Sequence, residues 1–130
     1  MASPNRYMSP RDLLYVGHML DMARKAVSKA TSLTYDAYET DENLRLALTH
    51  LVQVIGEAGR NVSLDFCDGH PEIPWQGIVG MRNKVVHDYL GVDEDIVWQV
   101  VTEDLPTLIA SLEEILASAS DKSDNSGAQG

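Results

Sequence analysis

The chain has 130 residues, 44% of them hydrophobic but only 6% aromatic, and it carries a formal net charge of −10. That length supports one domain with a modest core, and a core of Leu, Ile, Val, Ala and Met favours packed helices over a β-sandwich. No apolar run is long enough to span a bilayer, no charged-then-apolar leader opens the chain, and the lone Cys67 excludes an intrachain disulfide, so the expectation is a soluble cytoplasmic domain.

In chain order, Ser9-Pro10-Arg11-Asp12 offers an N-cap serine, a proline at the first helical position and an acidic residue at the third. Leu13, Val16, Leu20, Ala23, Val27 and Ala30 follow at steps of three and four and predict one apolar stripe. That helix should fade where Thr31 to Thr34 gather β-branched and hydroxyl residues. A second helix is expected from a cap at Asp41 to about Asn61, with Leu44, Leu48, Leu51, Ile55 and Ala58 on one face. Gly56 and Gly59 within it suit a close helix approach. Ser63 to Pro74, broken by Gly69, Pro71 and Pro74, reads as an irregular loop.

Pro74 then suits the first turn of a third helix, from about Trp75 to a stop at Gly91, with Ile78, Met81, Val85 and Tyr89 as its stripe. The last long pattern begins at Asp93 or Asp95 and uses Ile96, Val97, Val100, Leu105, Leu108, Ile109, Leu112, Ile115 and Leu116. Pro106 should kink or break it just before Leu105. From Ser118 on, Ser, Asp, Asn, Gly and Gln take over. The predicted organisation is a helical domain over 1–118 and a disordered acidic and polar tail over 119–130. The fold class is all-α, an up-and-down bundle of four main helices, and a symmetric homodimer is the expected way to bury a remaining apolar face.

The charge sets a constraint on partners. A surface this acidic repels polyanions, so any RNA site must be a local positive pocket, and an acidic face could instead dock a basic protein. No membrane or DNA binding is expected.

One stretch carries chemistry: Arg82-Asn83-Lys84-Val85-Val86-His87-Asp88-Tyr89. It holds a fixed cation, an imidazole and a phenol within about two helical turns. Arg82 can hold a phosphate and stabilise charge developing on it; His87 can move the proton of a ribose hydroxyl. The nucleophile belongs to the substrate, so neither a cofactor nor a metal is needed. Asn83 can orient His87 or hold the phosphate, and Tyr89 can position RNA. On a regular helix Arg82 and Tyr89 point nearly the same way and Asn83 and His87 share a second face, but Arg82 and His87 stand about 140° apart. Either the helix ends before His87, or the site is completed across a two-fold interface. His18, His50, Trp75 and Trp98 read as surface or packing residues. Asp65, Cys67, Asp68 and His70 read as parts of a solvated loop, not a metal site.

Arg, four residues, His, one residue, Tyr resembles the signature of the HEPN superfamily of ribonucleases. Pro74 to Asn83, continuing to His87 and Tyr89, with Ile55-Gly56-Glu57-Ala58, Val92-Asp93, Ile96-Val97-Trp98 and Asp104-Leu105-Pro106, resembles its HepT branch over roughly Leu44 to Leu116. The resemblance implies an all-helical, dimeric toxin ribonuclease of a type VII-like toxin–antitoxin pair, acting on RNA such as tRNA. It implies Arg82 and His87 as the catalytic pair. It also implies a minimal nucleotidyltransferase (MNT) antitoxin that silences the toxin by AMPylation of Tyr89. The alternative reading is a catalytically idle helical dimer that serves as that enzyme's binding partner or substrate.

Overall fold

The computed structural model describes the backbone of residues 9–87 and 91–129, and the side chains of residues 9–81 and 93–119. Seven α-helices follow one another among them: α1 (Pro10–Ala30), α2 (Tyr35–Thr40), α3 (Glu42–Arg60), α4 (Leu64–Gly69), α5 (Trp75–Val85), α6 (Glu94–Gln99) and α7 (Leu105–Gln129). The four long segments α1, α3, α5 and α6–α7 make the bundle. In it α1 packs on α3 and α7, and α3 packs on α5.

The capping residues act as their chemistry dictates. Ser9 accepts from the Asp12 amide, Asp41 from Leu44 and Asp93 from Ile96, each satisfying a donor that the first helical turn leaves open. After α1, Ser32 takes a positive φ of 67°, and the chain turns into α2, which Thr34 caps. Between α6 and α7 the backbone widens into a π-turn over Val100–Asp104, where the Leu105 amide bonds back to the Val100 carbonyl. The next residue, Pro106, has no amide to donate, so the five-residue step absorbs the missing rung. The expected break near Pro106 is therefore a π-turn inside a continuous helical path.

Three expectations need correction. Ser63–Pro74 is not wholly irregular: α4 forms inside it, capped by Ser63, and Phe66 and His70 are buried. The α1 stripe holds at Val16, Leu20, Ala23 and Ala30, which are buried, but Leu13 is 49% exposed, and Asp12, Met19 and Ala26 widen the buried face. Asp12 can be buried because its carboxylate accepts both the amide and the hydroxyl of Ser63 at 2.8 Å, tying the start of α1 to α4. The third helix does not reach Gly91; it stops at Val85. The β-branched pair Val85-Val86 crowds a helix and suits extended backbone. At the other end, α7 runs to Gln129, with no proline after Pro106 to stop it.

The core is built as composition requires, from Val16, Met19, Leu20, Leu48, Val52, Ile55, Val97, Leu105 and Leu112 around two aromatics, Tyr38 and Phe66. No helix among the described residues is long and apolar enough to cross a membrane.

Candidate active site

The segment that carries the Arg–His spacing is a helix end followed by a hairpin. Arg82 and Asn83 lie in the last turn of α5. His87 lies in a two-residue strand, β1 (Val86–His87), paired antiparallel with β2 (Gly91–Val92) in the register Val86 to Val92 and His87 to Gly91. Of the two arrangements that the spacing allows, the helix ends before His87. The 140° separation of a continuous helix does not apply, and neither does a helical face shared by Asn83 and His87. Tyr89 lies outside the described residues, as do the side chains of Arg82, Asn83 and His87.

Two aromatic clamps fix this segment from either end. Before α5, the Trp75 indole donates to the His70 carbonyl at 2.9 Å and meets Phe66 edge-on, with centroids 6.1 Å apart. His70 packs on Phe66 at 4.4 Å, and its Nδ1 stands 3.0 Å from a Glu72 carboxylate oxygen. The residues expected to form a solvated loop thus include a packed histidine. Cys67 is partly buried, and burial, with Asp12 and Asp68 nearby, pushes its thiol pKa up. Among the described residues, no three His, Cys, Asp or Glu side chains are grouped to hold a metal ion.

After the hairpin, α2 clamps the start of α6. The Tyr38 hydroxyl donates to the Glu94 carbonyl at 3.0 Å, and its ring stacks on Trp98. Arg45 pairs with the Glu94 carboxylate at 3.0 Å, and the Tyr35 hydroxyl donates to Asp95. Burial, reinforced by the Glu94 charge, pushes the Tyr38 pKa up to about 12. The hydrogen bond to Asp95 likewise raises that of Tyr35. Sequence reading missed this clamp because α2 is a single short helix. Thr34 as a cap for α2 is a local signal for it; the pairs Tyr38–Trp98, Arg45–Glu94 and Tyr35–Asp95 join residues far apart in sequence. Trp75 and Trp98 are packing residues as expected, and His18 and His50 are exposed.

The bundle holds Gly59 where an added Cβ would come within 3.0 Å of Ile78 and 3.6 Å of Met19. This is the close three-helix crossing that seats α5. Beside α5, a groove of about 400 Å³ runs to the π-turn and α7, floored by Ile78, Met81, Leu105 and Leu108 and rimmed by Glu103 and Asp104.

With the geometry in view, the chain can be set beside known proteins. The family model described as ribonuclease HepT-like matches residues 19–115. "Putative RNase MJ1380" of Methanocaldococcus jannaschii is 31% identical over 107 residues, 82% of this chain and 98% of that protein. "Putative RNase MJ0127" of the same organism is 30% identical over 108 residues, 83% of this chain and 89% of its own. "Probable ribonuclease HepT" of Thermococcus cleftensis is 36% identical over 83 residues, covering 64% and 76%. No solved structure matches the chain.

Proposed function

Because the chain belongs to the HepT-like ribonuclease family, we propose that it is a metal-independent endoribonuclease and the toxin of an HEPN/MNT pair. The observation that carries this reading is an Arg82–His87 spacing set across a helix end and a hairpin within the matched region. His87 takes the proton from a ribose 2′-hydroxyl, whose oxygen attacks the adjacent phosphorus. Arg82 stabilises the charge that builds on the phosphorane. The bond to the 5′-oxygen breaks, that oxygen takes up a proton, and the products are a 2′,3′-cyclic phosphate and a 5′-hydroxyl. In a homodimer the second copy's histidine is available as the acid. The apolar groove beside α5 offers surface for such a partner.

Control falls to Tyr89. Transfer of AMP to its hydroxyl by a nucleotidyltransferase antitoxin adds bulk and negative charge beside the phosphate site, so RNA is both blocked and repelled. The net charge of −10 favours a second reading, an idle dimer that only binds that enzyme. The chemistry of the ends separates the two: unmodified protein should convert tRNA or total RNA to fragments with cyclic-phosphate and 5′-hydroxyl termini. Intact RNA after incubation with protein of verified unmodified mass supports the idle dimer. A mass increase of AMP units on co-expression with the antitoxin, lost in Tyr89→Phe, tests the regulation.

A further inference from the structure

An acidic ribonuclease must find positive charge somewhere, and one place on this bundle supplies it outside the Arg–His segment. Arg24, Lys25 and Lys29 of α1 and His50 of α3 line a single shallow groove, with Ser28 between them, and no carboxylate lines it. Three of the ten Lys and Arg residues of the chain thus converge on one surface. Arg24 is partly spent, since it pairs with Glu113 of α7 at 2.6 Å, and Asp21 stands one turn before Lys25. Lys25 and Lys29 are exposed and, among the described residues, take part in no ion pair. By contrast Arg45, also on α3, is committed to Glu94 and to the Glu39 carbonyl.

The groove is placed to act together with the Arg–His segment. At the Gly59 crossing, Met19 of α1 and Ile78 of α5 stand level. From there α1 climbs to Lys25 and Lys29 while α3 runs back to His50, so the two helices are antiparallel. Meanwhile α5 climbs to Val85, and the chain returns at Glu94 beside Arg45 near the start of α3. At 1.5 Å per residue, Lys25 is about 9 Å and Val85 about 10 Å above the crossing. The groove and the end of α5 therefore lie at one height, on two helices that both pack on α3. Neighbouring helix axes are about 8–10 Å apart, so the axes of α1 and α5, each packed on α3, are at most roughly 20 Å apart.

Building on the ribonuclease reading, we infer that the Arg24–Lys25–Lys29–His50 groove is a docking surface for the phosphate backbone of a folded RNA whose scissile strand reaches the Arg–His segment. It selects large, structured substrates over short ones, because an RNA too short to reach from the Arg–His segment to the groove gains nothing from the groove's charge. It also confines polyanion binding to one side of a surface that otherwise repels it.

The test is tRNA binding at several salt concentrations by full-length protein, in a His87→Ala background that leaves RNA uncut, with and without Lys25→Gln and Lys29→Gln. Losing two phosphate contacts should lower the slope of log affinity against log salt by roughly 1.4–1.8. In otherwise wild-type protein, the same lysine substitutions should slow tRNA cleavage at subsaturating concentration and leave cleavage of a short single-stranded oligonucleotide unchanged. Binding with an unaltered slope overturns the groove and leaves the ribonuclease standing. Equal slowing on both RNAs also overturns it, because the lysines then act on the chemistry or the fold. No binding and no cleavage by wild type overturns both readings.

Discussion

Tyr38 and Trp98 stack with ring centroids 4.8 Å apart and planes inclined by 28°, so a six-residue helix grips α6. The grip matters because α6 begins two residues after β2, the returning strand of the hairpin that carries His87. The Tyr38 hydroxyl on the Glu94 carbonyl and Arg45 on the Glu94 carboxylate complete it.

Replacing Tyr38 by Phe keeps the stacking and leaves the Glu94 carbonyl without its donor. Thermal or urea unfolding should show a loss of about 1 kcal/mol. Tyr38→Ala also empties the core site and should cost roughly 3–5 kcal/mol. Equal stability of wild type and Tyr38→Phe would show that the hydroxyl contributes nothing.

Alkaline pH should loosen the same joint. Because the Tyr38 pKa is raised to about 12 in the folded protein, its contribution is complete below its ordinary value near 10. It is lost as pH rises towards 12. Melting temperatures measured from pH 8 to 12 should therefore fall beyond pH 10, and fall less steeply in Tyr38→Phe, which has no proton to lose there. Parallel curves for the two proteins would assign the alkaline loss to other groups.

The glycines at two positions should behave oppositely. Gly17, inside α1, has nothing within 4 Å of an added Cβ, so Gly17→Ala should stabilise by about 0.5–1 kcal/mol through backbone entropy. Gly59→Val forces branched carbons against Ile78 and Met19 at the crossing and should destabilise by about 1–3 kcal/mol. Unfolding curves of both variants beside wild type check the pair, and a tolerated valine would refute the close crossing.

Cys67 should be a sluggish nucleophile. Burial and two nearby carboxylates raise its pKa, so less thiolate is present at a given pH than in the unfolded chain. Alkylation by iodoacetamide at pH 8 should be slower in native protein than in urea, with the gap closing as pH rises. Native and denatured protein reacting at one rate would contradict this.

Much of the bundle is legible in sequence because its boundaries are chemical. Ser9-Pro10, Asp41 and Asp93 mark helix starts, Asn61 ends α3, and Pro106 places the π-turn within a few residues. What escapes notice depends on distant partners. Helices α2 and α4, six residues each, hold through Tyr38 on Trp98 and Phe66 on Trp75, which no local pattern reveals. That Asp12 is buried at the start of the α1 stripe, where Leu13 is expected, turns on its finding Ser63, 51 residues away. At the candidate site, the Arg82–His87 spacing is visible at once. The end of α5 is not, because the extended backbone at His87 is set by pairing with Gly91 and by Val85-Val86 leaving the helix.

Cleavage of tRNA and total RNA in EDTA, by unmodified wild type beside Arg82→Ala and His87→Ala, tests the central claim most directly. A wild type that cuts, and variants that fold as it does but cut about 10²-fold or more slowly, are the expected result. Equal cutting by all three would contradict it, because neither Arg82 nor His87 would then take part in the chemistry.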